Sequence, residues 1–195
     1  MRTTKRISSI SPSLTLAITA KAKAMKAEGK SVIGFGAGEP DFNTPQHIID
    51  AAKDALDKGY TKYTPSSGLP ALRKRIAEKF MEEQGLDYDS TQIIVSSGAK
   101  HSIFNAMFAL VEDGDEVVIP APYWLTYPEV VKVCGGKSVF VEGRKENHFK
   151  IDPADLKKAI TPKTKMLIFN SPSNPTGAVY TEEEIRAIAK VVEEA

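Results

Sequence analysis

Residues 166–177 read M-L-I-F-N-S-P-S-N-P-T-G, and few folds accept such a stretch. Met166 to Phe169 is a short apolar run of the length of a buried strand. Asn170 to Gly177 then crowds two prolines, two asparagines, two serines and a glycine into a sharp turn. Thr181, with Glu184 three residues on, is a capping box that opens a helix. The segment reads strand, rigid turn, helix; ligands of open parallel sheets sit at the carboxyl ends of strands, and this turn is placed there. The prolines fix the backbone and hold Asn174 in one place, as suits a side chain that hydrogen-bonds a planar ligand. The same residues also make a good structural turn, and the stretch alone does not choose between the two.

The rest of the chain repeats the alternation. A helix is expected from Ser11-Pro12-Ser13 to Glu28, stopped by Gly29, and a strand over Ser31 to Phe35. Thr44-Pro45 starts a helix to about Asp57, and Leu69 to Gln84 is a helix with Leu72, Ile76 and Phe80 on its apolar face. Strands are expected at Gln92 to Val95, Glu116 to Ile119 and Ser138 to Val141. Helices are expected at Ala99 to Val111, Thr126 to Cys134 and Pro153 to Ile160. This predicts an α/β fold, a three-layer α/β/α arrangement around a mostly parallel sheet. The helix after Thr181 keeps its apolar pattern at Ile185, Ile188, Ala189 and Val192 but meets no glycine or proline stop before Glu194-Ala195. The expectation is therefore a first part of a longer protein, with an incomplete sheet.

Composition narrows the function. The 26 basic and 25 acidic residues leave a net charge of +1, so no global field argues for nucleic acid or a membrane surface. No apolar run approaches transmembrane length. Cys134 is the only cysteine, which removes a disulfide framework and a thiolate metal cluster and fits a reducing, cytoplasmic setting. His47, His101 and His148 are scattered without ligand spacing, so no metal is expected. The basic residues of the first 27 positions fit a surface arm and helix better than a mitochondrial presequence, because arginine is sparse.

Three strand ends carry chemistry. Ser96-Ser97-Gly98-Ala99-Lys100 precedes a helix, where small residues and the helix dipole suit an anion such as a phosphate. It is neither a P-loop nor, without a K-T-G partner, a convincing S-x-x-K nucleophile. Pro120-Ala121-Pro122-Tyr123-Trp124 places the only tryptophan behind a rigid turn, either as core packing or as a plate for a flat ring. Gly34 to Gly38 lacks the G-x-G-x-x-G spacing of a dinucleotide site. An anion cradle, an aromatic plate and a fixed amide together describe pyridoxal phosphate better than a nucleotide.

These segments are recognisable. G-A-G-E-P-D-F-N-T-P (36–45), Y-T-K-Y-T-P-S-S-G (60–68), S-S-G-A-K (96–100), P-A-P-Y-W-L-T-Y-P (120–128) and N-S-P-S-N-P-T-G-A-V-Y (170–180) resemble class I and II aminotransferases of pyridoxal-phosphate fold type I, especially the bacterial aspartate aminotransferase subgroup. The resemblance implies that Asn174 donates to the cofactor's phenolic oxygen and that Trp124 stacks on its ring. It implies that Gly98, Ala99 and Lys100 hold the phosphate, and that Tyr63 reaches the phosphate of the partner subunit in a homodimer. Gly38, Trp124 and Asn174 would border the substrate, and cis bonds would precede Pro122 and Pro175. Residues 1–45 would be an arm and the start of a small domain, and 46–195 part of the cofactor-binding domain.

The implied reaction is ping-pong transfer of an amino group from aspartate or a similar amino acid to 2-oxoglutarate. A carbon–sulfur lyase of the same fold is the alternative. The family's aspartate that pairs with the pyridine nitrogen, the tyrosine of its D-E-x-Y segment, its Schiff-base lysine and its substrate-binding arginine have no match in these residues. By the resemblance all four would lie beyond Ala195, so no catalytic residue is expected among the 195. The chain alone is therefore expected to be inactive, and a fragment that folds without catalysis is a further alternative.

Overall fold

Helix boundaries follow from local chemistry in the computed structural model, which describes residues 2–36 and 38–195. Ala37, inside the Gly34–Phe42 run, lies outside them. A short helix α1, Lys5–Ser8, is capped by Thr4 where the sequence predicts only an arm. Then come α2 (Leu14–Ala27), α3 (Gln46–Asp57) and α4 (Pro70–Gln84). Pro70 sits at the start of α4, where its missing N–H costs nothing. Gly85 ends α4 in the left-handed conformation, and the amides of Gly85 and Leu86 close the last turn onto Met81 and Phe80.

The second half supplies the sheet. Helix α5 (Ala99–Leu110) precedes strand β1 (Glu116–Ala121) and α6 (Thr126–Val133). Strand β2 (Lys137–Glu142), α7 (Pro153–Ala159), β3 (Thr164–Leu167) and α8 (Glu182–Glu193) complete the order. The three strands are parallel in the order β2-β1-β3. Residues 14–99 form one compact unit; residues 1–13 and 100–195 form another.

The second unit has its core on both faces of β1. Val117 and Ile119 pack with Met107, Tyr127 and Val131 from the α5 and α6 side. Val118 packs on the other side with Leu156, Tyr180 and Ile188. Successive strand residues point to opposite faces, so a strand apolar throughout must be covered twice. That is the layered α/β arrangement read from the sequence.

Two expected strands are absent. Residues 31–35 are irregular, and Ser90–Gln92 is a 3₁₀ turn followed by irregular chain. A strand needs a ladder, and neither segment has one among the described residues; Val95 donates only to Ser67. Strand β3 begins at Thr164, two residues before the apolar run. Its pairing with β1 starts opposite Glu116, and Ile168 still donates to Val118 before the chain leaves the sheet.

Glu116 is a buried carboxylate at the amino end of β1. Thr161 Oγ1 donates to it at 2.7 Å and Lys137 Nζ at 3.1 Å. These hydrogen bonds, that of Thr161 first, hold its pKa below the ordinary glutamate value. A lowered folded-state pKa adds stability above the unfolded-state value, which is lost as pH falls through the folded-state value. Glu116→Gln is expected to lower Tm at neutral pH. The gap to the parent should close as pH drops below the usual carboxylate range. A constant gap across a Tm–pH series would refute the assignment.

Candidate functional site

The carboxyl end of β1 builds an aromatic wall. Ala121 is joined to Pro122 by a cis peptide bond, as the resemblance implied. Tyr123 stacks on Phe140 of β2 with centroids 4.8 Å apart. Trp124 is half-buried and meets Tyr127 edge-on, at 5.6 Å and 88°. Burial raises the pKa of the Tyr127 phenol. The tryptophan is thus neither deep core nor a loose surface ring; one edge is held, and its position is fixed by packing.

Lys100 brings positive charge to this wall. It lies in the first turn of α5, and its Nζ is 5.3 Å from the centre of the Trp124 ring. That is cation–π range. The first amides of a helix have no carbonyl to bond within it, so the turn is an anion-seeking one. Gly98, just before α5, has φ +85° and open space where a Cβ would stand.

The loop after β3 carries Asn174. Ser173 N–H donates to Ala178 at 2.9 Å, and Gly177 N–H donates to Ser173 at 2.8 Å. Asn170 Nδ2 donates to Pro172 at 2.6 Å, and Tyr180 N–H donates to the Ser171 hydroxyl at 3.1 Å. Cis bonds precede Pro172 and Pro175; the second was implied by the resemblance and the first was not. Asn174 is exposed and borders a crevice with Asn170, Ser173, Pro122, Tyr123 and Phe149. The loops after β1 and β3 therefore meet at one end of the sheet.

Gly38 and Tyr63 belong to the unit of residues 14–99. Gly38 has open space at its Cβ position, and the Tyr63 side chain is fully exposed. Ala195, the position beyond which the resemblance puts the Schiff-base lysine, is exposed just past α8. Its N–H donates to the Val192 carbonyl at 3.5 Å, and it is not among the residues that line the crevice. The residues that sequence reasoning missed are Tyr123, Ser171 and Tyr180. Each lay inside a motif already singled out; Tyr123 meets Phe140 and Tyr180 meets Ile151 on other segments, while Ser171 and Tyr180 join across a single loop. Among the described residues no group of three or more potential ligands could hold a metal ion. None of the described helices is long and apolar enough to cross a membrane.

A parallel sheet with helices on both faces is the open α/β architecture, in which ligands collect at the carboxyl ends of strands. Residues 30–195 match the model of aminotransferase class I and II, and the chain belongs to that family. An aspartate aminotransferase of Geobacillus stearothermophilus is 59% identical over 191 residues, which cover 98% of this chain and 49% of that protein. The aspartate aminotransferase of Bacillus subtilis gives the same identity and coverage. The solved structure of aspartate aminotransferase from Thermus thermophilus with maleate superposes with a TM-score of 0.96 at 45% identity, covering 100% of this chain and 51% of that one. The chain spans about half the length of the relatives it matches.

Proposed function

We propose that this chain serves a pyridoxal-phosphate enzyme that moves an amino group from aspartate, or a similar amino acid, to a 2-oxo acid by a ping-pong route. The observation that carries the reading is the Lys100 ammonium over the Trp124 ring, at the edge of a sheet whose neighbouring loop presents Asn174. A flat ring bearing a phosphate needs a plate, a cation and an amide. Gly98, joined through Ala99 to the first turn of α5, has φ +85° and no side chain, so its backbone is free to approach a phosphate, and the residues present fit the group. The names of the relatives support transfer rather than elimination.

The division of labour follows from the side chains. Trp124 stacks on the ring, and Asn174 donates to its phenolic oxygen. The turn Gly98-Ala99-Lys100 holds the phosphate, chiefly by backbone amides. Tyr63 reaches the phosphate in the site of a partner subunit, so the working unit is a homodimer. Gly38 borders the substrate carboxylate. When bound, the cofactor supplies the electron sink that makes a proton on the substrate's α-carbon removable. The setting we propose is the cytoplasm.

Titration of the purified protein with pyridoxal phosphate, followed by absorbance, tests the reading. Asn174→Ala removes a hydrogen bond to a charged oxygen and should weaken affinity by about tenfold or more. A parent protein that takes up no cofactor would overturn the proposal. Equal affinity in the Asn174→Ala protein would remove Asn174 from it.

A further inference from the structure

We infer that Ser171 is a positioning residue, which sets Asn174 through a hydroxyl that completes the loop's lower rung. This rests on the cofactor reading above. The loop is paired like a hairpin: Ser173 stands opposite Ala178, and Ser171 stands opposite Tyr180. The upper rung is a backbone bond of 2.9 Å, from Ser173 N–H to the Ala178 carbonyl. In the lower rung the acceptor is the Ser171 side chain, which takes the Tyr180 N–H at 3.1 Å. A hydroxyl here does the work of a backbone carbonyl, so one side chain decides whether the base of the loop is closed.

Tyr180 is a firm post for that tie. It is buried, and its ring lies 4.8 Å from that of Phe169. Its phenolic oxygen accepts the Ile151 N–H at 2.8 Å. Lys150, ion-paired with Glu184, stands 5.8 Å from the ring centre. Glu184 in turn accepts from the Thr181 amide and caps α8. The line of connection runs from the core through Tyr180 to Ser171, and from there three residues on to Asn174. Asn174 is exposed at the tip, so its placement depends on the closure of the base.

A double-mutant cycle separates positioning from a general structural role. In the unliganded protein, Ser171→Ala should speed hydrogen exchange at the Ser173 and Gly177 amides by about tenfold, the loss expected for one part-buried hydrogen bond. It should weaken pyridoxal phosphate binding by a similar factor, and Ser171→Thr, which keeps the hydroxyl, should restore both. In an Asn174→Ala background, Ser171→Ala should weaken binding no further. Should the alanine variant fail to fold, Ser171→Cys, a weaker acceptor of similar size, must show the same ordering. Unchanged exchange at Ser173 and Gly177, or additive losses in the double variant, overturns the role of Ser171. A parent protein that binds no cofactor instead removes the reading on which it rests.

Discussion

Leu156→Ala is expected to destabilise the protein by about 2–5 kcal/mol, read as a lower urea midpoint with an unchanged slope. Leu156 is 0% exposed, on the face of α7 that meets Val118, Val141 and Ile188. Truncation removes burial and leaves a cavity, because the walls are a sheet on one side and helix α8 on the other. Those walls are themselves fixed: Val118 belongs to the central strand, and Ile188 to a helix capped at Thr181. Collapse into the gap is therefore limited, which favours the upper part of the range. Tyr180 shares this cluster, so the loop bearing Asn174 should loosen as well. Lys157→Ala, one residue along on the solvent side, should change stability by less than about 0.5 kcal/mol. Equal effects at the two positions would show that α7 is not packed as described.

What the sequence displays are the features set by neighbours in the chain. The Thr181 box forms as read: Thr181 N–H donates to Glu184 at 2.8 Å, and Glu184 N–H to the Thr181 hydroxyl at 3.3 Å. The turns after β1 and β3 stand out because proline and glycine leave few conformations. Segments 31–35 and 92–95 have the residues of strands but no ladder among the described residues, and β-structure is a property of pairs. The same limit applies at the site. That a plate and a cradle exist is legible in Trp124 and Gly98–Lys100. That the Lys100 ammonium lies over the Trp124 ring is not, because it depends on how α5 packs beside the end of β1. Nor is the Glu116 cluster, which joins residues 21 and 45 positions apart.

Gly143→Ala should cost about 3 kcal/mol and should disturb the site as well. Gly143 follows β2, and its N–H donates to the Ala121 carbonyl at 2.6 Å. A Cβ there would fall well inside 3.0 Å of the Phe149 carbonyl group and 2.8 Å from the Ala121 carbonyl oxygen. Both obstacles are backbone, so no side chain can swing away to relieve them. Relief requires the end of β1 to part from the segment carrying Phe149. Pro122 and Phe149 border the crevice shared with Asn174, so that movement should weaken pyridoxal phosphate binding as well as lower Tm. Gly114→Ala provides the contrast. Gly114 has φ +100° but open space at its Cβ position. Its alanine variant should lose only the conformational term, about 1–2 kcal/mol, and should leave cofactor affinity alone. A glycine kept for its dihedral and one kept for close approach are thus separable by two measurements. If Gly143→Ala proved no worse than Gly114→Ala in both, the contact between Ala121, Gly143 and Phe149 would be looser than described.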